Sequence, residues 1–129
     1  MAIRRRANVR TVTRGDSSDV EGAIDLLGAS GTGPLWGMAS ADLNATLLAW
    51  PSGHEVTEHV NGELDVLVIV LDGCGRAIID GKIHDLVAAS AILIPRGTRR
   101  RITSGDEGLR YLSVHRRRGP LQIQTTAQR

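Results

Sequence analysis

What most constrains this chain is a series of short apolar stretches at close spacing, each ended by a glycine-bearing turn. "DVLVIVLDG" (65–73) is an almost unbroken run of β-formers and predicts a buried strand. "RAIIDGKIHDL" (76–86) predicts a hairpin, because Asp80-Gly81 is a type I′ turn signal. "SAILIP" (90–95) is a short strand closed by Pro95 and Gly97, and "RRRITSGDEGLRYLSVH" (99–115) reads as two strands joined across "SGDEG". Upstream, "DLNATLLAW" (42–50) is a further strand ended by Pro51-Ser52-Gly53. Short strands at this spacing imply an all-β sandwich or barrel.

The rest of the chain adds little to that body. Residues 1–15 are basic and polar and read as an arm. "DSSDVEGAIDLLGAS" then predicts a short helix capped by Asp16 or Ser17, with Val20, Ala23, Ile24 and Leu27 on one face and its end at Gly28. The organisation expected is an N-terminal arm and helix over 1–34 lying against the body, a barrel over 35–123 with a short final strand, and a tail over 124–129. With 129 residues the chain suits one domain. There is no Phe, one Tyr and two Trp, so the core is built mainly from Val, Ile, Leu and Ala. Trp36 and Trp50 are expected in that core or in a dimer interface.

Composition also excludes classes of function. Cys74 is the only cysteine, which leaves no intrachain disulfide and no thiolate zinc cluster, and fits a reducing cytoplasm. No apolar run approaches the roughly 20 residues that span a bilayer, and the basic N-terminus lacks an apolar signal core. Arginine triplets stand at 4–6, 99–101 and 116–118, but fifteen Arg against the single Lys82 suggest a compositional bias. Acidic residues nearly balance them and stacking aromatics are scarce, so no nucleic-acid partner is expected.

The stretch "HEVTEHVNGELDVLVIVLDGCG" (54–75) carries the densest group of imidazoles and carboxylates. Together with the "IIDGKIHDL" hairpin, the "ILIPRGTRR" turn and "GLRYLSV", it resembles the cupin superfamily in its small single-domain form. The "EH…VLDGCG" stretch is similar to the first cupin motif, and "IPRG" with the strand after it to the second. The resemblance covers about two-thirds of the chain. It implies a jelly-roll β-barrel with a central pocket, and commonly a homodimer.

That resemblance also implies a metal set of two His and a Glu from the first motif and a His from the second. The corresponding positions here hold His59, Asn61, Val66 and Arg100. One ligand of four is retained, Val66 cannot coordinate, and Arg100 is a fixed cation that repels a metal ion. No cofactor is therefore expected. The alternative is a divalent transition metal on His59 with Asp65 or His115, although parity turns Asp65 away from Val66, Val68 and Val70 unless the strand bulges.

His59, Asn61 and Arg100 are expected to converge inside the barrel, with Tyr111, Ser113 and His115 sharing one face of the last strand. A titratable ring, an amide and a guanidinium suit a small polar or anionic molecule. The bland alternative is that Arg100 pairs with Asp65 or Glu63. His54 is expected exposed, His84 solvent-facing or at the rim, and Cys74 structural. The functional expectation is metal-independent small-molecule binding. The alternatives are an isomerase, epimerase or lyase with His59 as acid or base, a metal-dependent dioxygenase-like enzyme, and a structural role.

Overall fold

The computed structural model describes residues 23–60 and 62–117, the side chains of 57–60 excepted. Seven strands form one antiparallel sheet: β1 (Gly33–Ala39), β2 (Leu43–Trp50), β3 (Glu55–Val60), β4 (Val66–Ile79), β5 (Lys82–Val87), β6 (Ala91–Ile94) and β7 (Arg99–Arg116). The order is β1-β2-β7-β4-β5, with β3 on β7 and β6 on β4. The described residues contain no helix.

The two long strands make the barrel. β4 runs straight through Asp72-Gly73, and β7 runs straight through "SGDEG", where the sequence predicts breaks. Both bend there instead. The β4–β7 register shifts between Val70 and Asp72 and again between Gly73 and Gly75, as bulges require. Gly73 has φ 82°, and a Cβ there would overlap the Gly108 carbonyl. The bend folds the ladder over itself. One half carries β1, β2 and β6 beside residues 66–73 and 109–116; the other carries β3 and β5 beside 75–79 and 99–104.

The halves meet in an aliphatic core. Val66, Val68, Val70, Ile94, Leu109 and Tyr111 from the first half pack with Ala77, Leu86 and Ile102 from the second. Burying each such aliphatic side chain contributes roughly 1.5–3 kcal/mol. The β4 run is therefore buried on one face only: Val68 is 2% exposed, whereas its neighbour Leu67 is 37% exposed.

A second cluster lies on the convex face. Ala29, Trp36 and Leu47 are its buried members, with Ile24, Leu26, Leu35, Met38, Leu71 and Leu112 packed against them. This corrects the predicted helix over its described part. Residues 23–28 form no helix but lead into a turn. The Asp25 carboxylate accepts the amides of Leu27 and Gly28, both at 3.1 Å, and so competes with helical hydrogen bonding. Ile24 and Leu26 face the sheet at two-residue spacing, and Leu27 is exposed. The rest of the predicted helix, the N-terminal arm and the segment after 117 lie outside the described residues.

Candidate functional site

The bend closes one end of the barrel. Strand register brings Asn44, His115, Val66 and Ile94 of the first half, and His59, Arg100 and Ile79 of the second, to the other end. Residues directly opposite in an antiparallel ladder share a face. The row Ile102–Ala77–Val56 belongs to the core, so Arg100, two residues along from Ile102, lies on the concave face.

His59 stands opposite Arg100 in the β3–β7 ladder. It does so through a bulge, because Val56 pairs Ile102 while His59, three residues on, pairs Arg100. The register shift adds one residue on β3 between these two pairs. Asn61 lies outside the described residues.

The first half supplies the opposite wall. Tyr111, Ser113 and His115 share the concave face of β7, and their cross-strand partners on β2 are Leu48, Thr46 and Asn44. The wall grades from polar at the open end to aromatic and apolar inside. The His115 Nδ1 lies 2.9 Å from the Arg116 carbonyl, which can only accept, so Nδ1 carries the proton. The Nε2 then faces the Asn44 amide at 3.4 Å as an acceptor.

At the closed end, the Trp50 indole donates to the Tyr111 hydroxyl at 3.3 Å. Burial raises the Tyr111 pKa above 10.0; the Trp50 hydrogen bond and then the Arg100 charge oppose the rise. The Arg100 side chain is half-buried and its Nη1 is fully buried, so the guanidinium is an interior charge.

Two of the positions that correspond to metal ligands carry side chains unsuited to coordination. Val66, at the carboxylate position, is 5% exposed and packed in the aliphatic core. Arg100 puts a permanent cation at the second-motif position. The Asp65 carboxylate accepts the Arg96 amide at 2.8 Å and holds the β6–β7 turn. Both ring nitrogens of His115 are engaged as described. Among the described residues, no three His, Cys, Asp or Glu side chains are grouped to hold a metal.

Other histidines differ from expectation. His54 is not freely exposed: its ring stacks on Trp50 with centroids 4.1 Å apart and planes 5° apart. The buried Ser104 hydroxyl donates to the Pro51 carbonyl at 2.6 Å and accepts the His54 amide at 2.8 Å. His84 is half-buried and pairs Ala77, which puts it on the concave face of β5. The sequence reading missed Asn44 and Thr46 as lining residues. The alternation of Asn44, Thr46, Leu48 and Trp50 held the signal, but only pairing to β7 shows which face is inside.

No family model matches the sequence, and no curated protein matches it. Solved structures do match. KdgF from Halomonas sp. aligns with TM-score 0.60 at 19% identity, over 65% of this chain and 77% of that one. A cupin protein from Bacteroides fragilis aligns at 0.58 and 22% identity, over 68% and 76%. An RmlC-like cupin from Shewanella frigidimarina aligns at 0.59 and 18% identity, over 67% and 78%. The chain has the cupin fold. At these identities the likeness concerns the barrel alone, so the content of this cupin barrel rests on its own residues. No helix among the described residues is long and apolar enough to cross a membrane.

Proposed function

We propose that this cupin barrel binds a small polar or anionic molecule without a metal. The observation that carries the reading is Arg100, a permanent cation at the concave-face position where the family places a metal-ligating His. A guanidinium offers a planar donor fork to a carboxylate. Asn44, Thr46, Ser113 and His115 line the facing wall, and the packed aliphatic core of Val66, Val68 and Ile94 lies beneath them. A largely apolar cavity with a few convergent polar groups is the common form of a small-molecule site. Isothermal titration with a panel of small carboxylates tests it. At least one should give a saturable isotherm that Arg100→Gln weakens roughly tenfold or more. A panel that binds equally well to both proteins overturns the reading.

The register of His59 against Arg100 favours a second reading, an isomerase, epimerase or lyase. His59 would move the proton and Arg100 would stabilise a developing oxyanion. His59→Ala separates the two: loss of turnover with retained affinity makes the protein an enzyme.

We also propose that the chain forms a homodimer in the cytoplasm. Leu67 and Leu93 pair across β4 and β6 and are 37% and 56% exposed on the convex face. Cys74 is a free thiol. Light scattering should give the mass of two chains, and Leu93→Glu should return one.

A further inference from the structure

We infer that a groove at the barrel rim, separate from the interior, binds the phosphate or carboxylate group of an anionic small molecule through Arg96, Arg116 and Arg117. The groove encloses about 540 Å³, and its remaining lining includes Asp42, Glu63 and Leu64. It gathers the β1–β2 turn, the segment before β4, the turn after β6 and the end of β7. Alternation along β7 sends Arg116 to the face opposite His115, so its charge does not belong to the cavity that Arg100 serves.

Two features distinguish this cluster from an ordinary solvated run of charge. First, its backbone is held. The Arg96 amide is fixed by the Asp65 carboxylate at 2.8 Å. The Arg117 amide donates to the Asp42 carbonyl at 2.8 Å, and its guanidinium donates to the Ser40 carbonyl at 3.0 Å. Second, Arg96 and Arg116 make no ion pair with any described residue. Three guanidinium groups from two separate segments face two carboxylates, which leaves a formal excess of one positive charge. Like charges gathered in a recess repel one another, and a bound anion relieves that repulsion while taking up donor forks that have no protein acceptor. The Asp42 carboxylate in the same groove opposes the anion and sets a limit on its affinity.

The test titrates the full-length protein with inorganic phosphate, glycerol phosphate and succinate at low salt by calorimetry. At least one probe should bind at one site per chain, and the pattern across the three tells phosphate from carboxylate. Arg96→Gln with Arg116→Gln should weaken that binding roughly tenfold or more. Arg76→Gln, which removes an exposed charge on β4 away from the groove, should leave it unchanged. Asp42→Asn should tighten it several-fold, a gain that misfolding cannot produce. Arg100→Gln should leave it intact even if the barrel reading fails. No saturable binding of any probe overturns the inference. So does binding that survives the double substitution, or binding that Arg100→Gln alone abolishes.

Discussion

Arg100 and Tyr111 lie on the concave face of β7 on either side of its bend, and the Arg100 charge favours the Tyr111 phenolate. Burial is the larger effect and raises the Tyr111 pKa above 10.0, while the Trp50 hydrogen bond and the Arg100 charge pull it down. The neutral phenol is therefore favoured in the folded protein. Its contribution to stability is complete below the unfolded-state pKa and is lost as pH rises from there through the folded-state value. Tyr111 is the chain's only tyrosine, so the tyrosinate absorbance band reports it without overlap. Arg100→Gln should move that midpoint further up, because a charge favouring the phenolate is removed. A midpoint unmoved or lowered by the substitution would show that the two groups do not share the interior.

The metal positions can be tested by restoring them. Val66→Glu alone places a carboxylate in the aliphatic core and should destabilise the protein by roughly 3–5 kcal/mol. Combined with Arg100→His, it reconstitutes the family's set except at Asn61. The double variant should melt low in chelator and recover in excess Ni²⁺ or Zn²⁺, by about 2.7 kcal/mol at a hundredfold excess over Kd. The parent should show no such shift. A double variant indifferent to metal would mean that positions 59, 66 and 100 do not converge.

Much of the barrel was legible because its signals are local. The Val66, Val68, Val70 alternation fixes one face of β4, and Asp80-Gly81 fixes a hairpin, with φ of 49° and 84°. The continuity of β4 and β7 was not legible. Glycine marks a turn and a bulge alike, and only the meeting of Gly73 with Gly108 decides between them. The helix expectation failed over 23–28 because Asp25 captures two amides locally, a competition that periodicity does not register. In the site, motif spacing singled out Arg100, and parity put Tyr111, Ser113 and His115 on one face without telling whether that face is the inner one. Asn44 and Thr46 required knowing which strands pair, and the bulge that carries His59 opposite Arg100 left no mark in the residue types.

Backbone strain gives a prediction of opposite signs at two positions. Ala89 has φ 68° in the turn between β5 and β6, where its amide donates to the Val70 carbonyl at 2.9 Å. A left-handed conformation costs a side-chain-bearing residue about 1–2 kcal/mol, part of which glycine gives back through its freer unfolded chain. Ala89→Gly should therefore stabilise by about 0.5–1 kcal/mol in urea unfolding. Gly73→Ala should cost about 3 kcal/mol or more, because strain at φ 82° adds to overlap with the Gly108 backbone. Equal and small effects at both sites would contradict the bend described for β4.

The convex cluster makes the chain before β1 part of the folded unit. Leu47 sits on the outer face of the sheet yet has no exposure, and Leu26 is among the residues packed against its cluster. Leu47→Ala should cost about 2–5 kcal/mol, as for a core leucine. If the segment before β1 supplies that burial, the cost depends on it. In a double-mutant cycle with Leu26→Ala, the two losses should fall short of additivity by about 0.5–3 kcal/mol, the range found for residues in contact. Strict additivity would mean that Leu26 does not pack over Leu47. An equally large coupling between Leu26 and the concave-face Val68 would show that the two clusters act as one core, contrary to their separation by the sheet.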